Sequence, residues 1–466
     1  MRKLAKHMNR EPDFLEHLRA ELSSGRIWLD RAIVLGYAIA AGLFVVAFTL
    51  ASDWVFGGFQ RFYRAWPWAV LLTTPMITAG IVWFTLRFFP GASGSGIPQI
   101  KAALHPALPD ERRFIFASLR LTVAKIGLGV AGFAAGLSVG REGPSVQVAA
   151  GVMQHARRWL SPNTTSDGRA LLVAGGAAGI AAAFNAPLAG VVFAIEELSG
   201  RLEARSSGLI ITAIVLAGLV AVSAFGNTSY FGVIRVPRLG WDALGPGLLV
   251  TLLAGAGGGL FARLLIASLT RAPERLNRWR ASFPLRFAAL GGLAVAVIGL
   301  VTGGVTFGAG SEAVKQMLQG HGELTPLYTA LKFVATWLTA WCGVPGGIFA
   351  PSLSIGAGIG NAVAQMASSD LGPALIALGM AGFLAAVTQA PLTAFIIVME
   401  MVDGHAMVLS LMAAAMLASL ISRMISRPLY DTLAEHMVGN AIATSNGVDV
   451  HTSRGPHECG AKGGNL

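Results

Sequence analysis

Apolar residues run without a charge through residues 32–50, 66–86, 171–195, 206–234, 243–262, 287–311, 333–369 and 371–399. A bilayer-spanning helix needs about 20 such residues, so the pattern predicts a bundle of membrane helices. One run departs from the others. Residues 333–369 are too long for one straight span, and within them stands Gly343-Val344-Pro345-Gly346-Gly347. A helix does not pass that stretch unbroken. Broken backbone at membrane depth persists only where protein buries it or where it lines an aqueous cavity. Similar breaks occur at Gly91-Ala92-Ser93-Gly94-Ser95-Gly96-Ile97-Pro98 and at Gly140-Arg141-Glu142-Gly143-Pro144. Arg87 and Lys101 flank the first of these, which therefore reads as an ordinary surface loop.

Composition narrows the class. Of 466 residues, 54% are apolar and 13% charged, against about 25% charged in soluble domains. A water-soluble single core and a disordered chain are both excluded. Glycine, at 58 residues, suits close helix contact in membranes. A net charge of +11 would suggest nucleic acid in a soluble protein. Beside these runs it points to basic cytoplasmic loops facing anionic lipid, with no nucleic-acid partner. Residues 1–30 mix Arg2, Lys3, Lys6, Arg10 and Arg19 with Glu11, Asp13, Glu16 and Glu21. They lack the pattern of a cleaved signal and read as a cytoplasmic N-terminal arm. Cys342 and Cys459 supply no disulfide framework, and no metal or cofactor set is expected.

The chain repeats itself. Residues 125–145 align with 332–352 at an offset of 207, placing Lys125 on Lys332, Gly140 on Gly347 and Pro144 on Pro351. Further on, Ala186-Pro187-Leu188 falls on Ala390-Pro391-Leu392 and Glu196 on Glu400, at an offset of 204. Duplicated halves are the usual plan of secondary transporters, with the site where broken helices meet. The repeat alone leaves open whether the halves are parallel or inverted. Residues 31–200 and 201–435 read as the two membrane repeats, and 436–466 as a short polar tail.

Proline fits the first turn of a helix and pushes the residue before it out of helical geometry. Helices are therefore expected to start near 97, 143 and 350. Each start leaves unpaired N–H groups, and a small anion is one partner for them. A single helix start contributes about 0.3–1 kcal/mol, up to ~2 when partly buried. Removing an ion from water costs far more, formally tens of kcal/mol at low dielectric. Several starts and hydroxyl donors must therefore converge. Glu142 sits just before one start, where its carboxylate would compete with the anion; protonation would release it. Pairing with Arg141 at a membrane interface is the other reading of Glu142.

These motifs resemble the CLC family of chloride channels and chloride/proton exchangers. The resemblance rests on Gly94-Ser95-Gly96-Ile97-Pro98, Gly140-Arg141-Glu142-Gly143-Pro144 and Gly346-Gly347-Ile348-Phe349-Ala350-Pro351, in family order. It is joined by residues 183–190 through Glu196-Glu197 and by Arg427-Pro428-Leu429-Tyr430. It spans about residues 30–435. It implies an all-α polytopic fold of two inverted repeats, a homodimer with one pore per subunit. It implies that the Ser95 and Tyr430 hydroxyls and the Ile348 and Phe349 amides face the central chloride. Glu142 matches the external gating glutamate and Glu197 the internal glutamate that relays protons. Lys125 resembles a lysine buried near the pore, while Gly94, Gly96, Pro98, Arg141, Gly143, Gly346 and Gly347 shape the motifs.

Within that family a proline at the Ser95 position marks nitrate preference, fluoride exporters alter the motif and lack the tyrosine, and channels usually lack the internal glutamate. The resemblance thus implies proton-coupled chloride exchange at a bacterial inner membrane, both termini cytoplasmic. A passive voltage- or pH-gated chloride channel is the alternative. The chain stops soon after Tyr430, so the paired nucleotide-sensing domains of eukaryotic members, and nucleotide regulation, are not expected.

Taken singly, the same residues have blander readings. Ser95 would be a helix cap, Tyr430 an interfacial belt residue, and Glu196 and Glu197 a solvated helix end. Lys125 and Lys332 would snorkel, and Glu400 would have no role. Gly91-Ala92-Ser93-Gly94 also fits an intramembrane serine protease, but no histidine lies between His155 and His321 to serve it.

Overall fold

The computed structural model describes residues 25–161, 167–199, 207–226, 231, 243–271, 274–320, 326–367 and 371–445. Most of the N-terminal arm and the final residues of the polar tail lie outside these. Helices build the first half: α1 (Gly25–Ala65), α2 (Val70–Phe88), α3 (Ile97–Leu104), α4 (Leu119–Ala134), α5 (Glu142–His155), α6 (Gly168–Phe184), α7 (Pro187–Phe193) and α8 (Ser207–Phe225). The second half holds α9 (Leu244–Ile266), α10 (Glu274–Ser282), α11 (Pro284–Val301), α12 (Ser311–Leu318), α13 (Pro326–Trp341), α14 (Phe349–Ala367), α15 (Gly372–Thr388), α16 (Pro391–Met401), α17 (Val408–Ile425) and α18 (Leu429–Ser445). The last helix thus continues through Ser445, well into the stretch that reads as a tail.

Seven helical segments among the described residues, built on α1, α2, α4, α8, α9, α11 and α17, are long and apolar enough to cross a bilayer. They carry the exposed apolar side chains, such as Trp54, Leu72, Leu290 and Leu409. By contrast α5, α6, α14 and α15 are buried along most of their lengths. They pack as two close pairs, α5 on α6 and α14 on α15. Glycine lets the backbones touch: a Cβ on Gly356 would lie 2.8 Å from the carbonyl carbon of Gly379, too close to accommodate.

Two runs long enough to span are in fact divided. Residues 171–195 break at Asn185 (φ +55°) before Pro187, and residues 371–399 break at Gln389 (φ +58°) before Pro391. A left-handed residue closes the first helix of each pair, and proline opens the second. The run 333–369 breaks between Trp341 and Phe349, as the Gly-Pro-Gly-Gly content requires.

The relation of the halves is visible in reciprocal contacts. Glu196 accepts from Leu392 N (3.0 Å) and Thr393 N (2.6 Å), while Glu400 accepts from Leu188 N (3.3 Å) and Ala189 N (2.7 Å). Each carboxylate, just past or at the end of one short helix, satisfies the open amides at the start of its repeat counterpart. The pair α7 and α16 therefore runs antiparallel, end against start. Gly140 and Gly347, also repeat counterparts, exchange N–H···O bonds of 2.8 and 2.7 Å in an antiparallel bridge. A two-fold relation that sets a helix antiparallel to its own copy means that the halves are inverted. It also gives both carboxylates structural partners: Glu196 is not a solvated helix end, and Glu400 is not without a role.

Candidate anion site and its flanking carboxylates

The loop before α3 is held by side chains rather than by regular structure. Gly94 and Gly96 stand at φ +75° and +109°, where glycine is unstrained. The Gly96 amide donates to Gln99 Oε1 at 2.9 Å, and Gln99 Nε2 donates back to the Ser93 carbonyl. Pro98 lies in the first turn of α3. Lys125, fully buried on α4, donates from Nζ to the carbonyls of Ala92 (2.8 Å) and Gly94 (2.6 Å). Gln147 of α5 bonds the Gly91 carbonyl at 2.9 Å. The flanking charges thus mislead: this is not a surface loop, and Lys125 does not snorkel. Its ammonium is spent on carbonyl oxygens that turn inward where the helix pattern fails.

The three expected starts meet. A Cβ on Gly96 would lie 2.6 Å from the Gly143 carbonyl oxygen, and one on Gly347 would lie 2.9 Å from the Gly143 amide nitrogen. Only glycine admits that approach. Gly346 N donates to Gly94 O at 3.2 Å, and Ser93 Oγ to Gly343 O at 2.9 Å. Helices begin at Ile97, Glu142 and Phe349, with Pro144 and Pro351 in the opening turns of α5 and α14.

Glu142 is buried and its Oε2 accepts from Ala350 N, in the first turn of α14, at 3.4 Å. Its neighbour Arg141 is committed to α1, bonding Asp53 and the Thr49 carbonyl. The carboxylate thus occupies the open amides of another helix start, where an anion would be held.

Around the same point stand two hydroxyls. The Tyr430 ring is fully buried, 6.1 Å from that of Phe349, itself near Phe184 and Phe193. The Ser95 and Tyr430 hydroxyls lie within interaction range of each other. Both hydroxyl oxygens are buried without a hydrogen-bond partner, a costly state that a bound anion would relieve. Ser95 is therefore not a cap and Tyr430 not a belt residue. Ile348 and Phe349 lie at the start of α14, where amides have no partner within the helix. Two orphaned O–H donors, a helix start and a carboxylate already on it fit a small monovalent anion.

Glu197 lies on the helical turn at Ala194–Ser199 that extends α7. It is buried, and its Oε1 accepts from Lys101 Nζ of α3 at 2.8 Å. Lys101 also pairs with Asp431 of α18 at 2.5 Å. In the sequence Lys101 stands only as a flanking charge and Asp431 in no motif; no local pattern joins them to Glu197.

The profile of the voltage gated chloride channel family matches residues 76–423, three-quarters of the chain and all three helix starts. This chain belongs to that family. It is 30% identical over 420 residues to the H(+)/Cl(-) exchange transporter ClcA of Klebsiella pneumoniae, covering 85% of this chain and 86% of that one. The corresponding transporter of Citrobacter koseri is also 30% identical, over 431 residues, covering 86% and 88%. A slow cyanobacterial Cl-/H+ antiporter has a similar structure, with TM-score 0.74 and 26% identity over 88% of this chain and 98% of that one. A CLC-type fluoride/proton antiporter shares the fold at TM-score 0.72 and 21% identity, over 91% and 99%.

In this family member the second repeat carries its own version of the first motif, at a register that a constant offset hides. Gly308 and Gly310 have φ +66° and +85°. Lys332, fully buried, donates to the carbonyls of Thr306 (2.9 Å) and Gly308 (2.7 Å), as Lys125 does in the first half. Snorkelling fails for this lysine too. Ala309 stands where Ser95 stands, so the copy of the loop is kept and its hydroxyl is not. A cavity of about 700 Å³ reaches that copy and Arg141, lined also by Arg64, Lys315, Asp53 and Glu312.

Proposed function

We infer that the protein exchanges chloride for protons across a membrane, as a secondary transporter rather than an enzyme. The observation that carries this reading is one arrangement: Glu142 on the α14 start beside two orphaned hydroxyls, with a second buried carboxylate, Glu197, paired with Lys101 of α3, the helix that begins beside Ser95. Chloride would bind to the Ser95 and Tyr430 hydroxyls and to the Ile348 and Phe349 amides. Each donor is neutral, so the ion is held without a fixed cation and remains free to leave. Glu142 competes for the same amides as a carboxylate and yields them when protonated. Glu197 would supply that proton from the opposite side.

Serine rather than proline in the first motif supports chloride as substrate. The names of the curated relatives support exchange over passive conduction. The family resemblance supports a homodimer with one such site in each subunit. The basic residues of the N-terminal arm support a cytoplasmic N-terminus, and an inner-membrane location follows from the bacterial relatives. The reading needs no cofactor, metal, nucleotide or nucleic acid.

Purified protein reconstituted in liposomes under a chloride gradient tests it, with external pH as the readout. The expected result is uphill proton movement that stops when a proton ionophore is added. Chloride flux with no proton movement would reduce the protein to a passive channel; no chloride flux at all would overturn the site.

A further inference from the structure

Glu197 does not stand alone. The Lys101 ammonium lies between it and Asp431, 2.8 Å from one carboxylate and 2.5 Å from the other. The three side chains come from three elements: the turn after α7, α3 and α18. They also grade in exposure, from 8% at Glu197 through 13% at Lys101 to 55% at Asp431. The same α3 begins beside Ser95, and Asp431 follows Tyr430 directly, so one cation ties together both segments that carry the hydroxyls.

We propose that Lys101 is a positioning residue that sets the pH at which Glu197 exchanges its proton, and that Asp431 is the solvent-facing competitor that draws Lys101 away. This rests on the reading of Glu197 as the internal proton acceptor. A cation against a carboxylate favours its ionised form, and a nearby anion opposes it. Lys101 therefore favours the ionised form of Glu197 against the effect of burial, and every displacement of the ammonium toward Asp431 eases protonation. The Lys101–Glu197 contact is shielded from water and resists screening, whereas the Asp431 contact is half open and weaker.

Among the described residues, Lys101 is the cation in contact with Glu197. The charged or titratable groups facing Glu197 are Lys101 from α3, Asp431 and Tyr430 from α18, and its neighbour Glu196. Glu196 is held by the amides of Leu392 and Thr393. Of the remaining elements packed against this turn, α6 carries Arg169 alone, in its first turn, and α7 carries no charge. α16 carries only Glu400, bound to the amides of α7.

The test is the pH profile of proton-coupled chloride transport in liposomes, for wild type and three variants. Lys101→Gln removes the cation and should move the profile to higher pH, by about one unit or more. Asp431→Asn leaves the ammonium wholly to Glu197 and should move the profile to lower pH, by less. Lys101→Arg keeps the charge and should keep the profile. Opposite shifts from the first two variants support the proposal, because a purely structural role moves the rate and not the pH at which it turns. Superimposed profiles, or shifts in one direction, overturn it. Asp431 is exposed, so Asp431→Asn carries the test if Lys101→Gln fails to fold. Wild type that moves no protons would sink the reading of Glu197 itself; wild type that pumps, with unshifted variants, would sink this proposal alone.

Discussion

Glu142→Ala should leave chloride passing through the protein while proton movement driven by a chloride gradient falls to background. The carboxylate now sits on the amide of Ala350 at 3.4 Å, at the start of α14. It is the titratable group in contact with that start, so its loss removes the proton acceptor there. It is also the competitor for the anion. A helix start holds a partly buried anion by up to ~2 kcal/mol, which is about 30-fold in occupancy. Removing the carboxylate should therefore tighten halide binding by up to about 30-fold, read by calorimetry on purified protein. Two measurements thus bear on one residue, and they move in different directions: coupling is lost and affinity rises. Proton uptake equal to wild type would refute the gate. A protein that loses both fluxes would instead place Glu142 among the supports of the fold.

Glu197→Val should uncouple protons as completely while chloride flux persists. Glu197 touches Lys101 rather than any orphaned donor. Losing it removes a proton acceptor without removing a chloride ligand. The fold should survive for a definite reason. Truncating one partner of a buried pair costs about 3–5 kcal/mol when it strands the other charge, but Lys101 keeps Asp431 at 2.5 Å. The ammonium is left paired and near water. Chloride and proton fluxes measured together in liposomes check this, and full coupling in the valine variant would remove Glu197 from the proton route. The two substitutions together should give a passive chloride pathway.

Much of this site was legible in the sequence because its signals are local. Glycine and proline mark helix starts over a few residues, and the starts expected near 97, 143 and 350 lie at Ile97, Glu142 and Phe349. The repeat placed Gly140 on Gly347 before any geometry, and the two prove to be bonded to each other. Tertiary effects were not legible. The breaks at Asn185 and Gln389 sit inside uniformly apolar runs, where hydropathy alone does not register a left-handed residue. Lys125 and Lys332 read as snorkelling because sequence shows a cation beside apolar residues, not the inward carbonyls it satisfies. The pairing of Lys101 with Glu197 and Asp431 joins residues far apart in the chain, so no spacing rule reaches it. The second-half copy of the first motif escaped because its register differs from that of the other matches.

Main-chain amides and two hydroxyls, gathered from separate helices, are expected to hold a halide in the protein interior. Anomalous diffraction from crystals grown in bromide addresses this directly. The expected result is a peak within hydrogen-bonding reach of Ser95 Oγ and Tyr430 Oη, beside the amides of Ile348 and Phe349. In Glu142→Ala crystals a second peak should appear at the amide of Ala350. Crystals that diffract well and show bromide only elsewhere, with the Ser95 and Tyr430 hydroxyls still lacking an anion, would contradict the account.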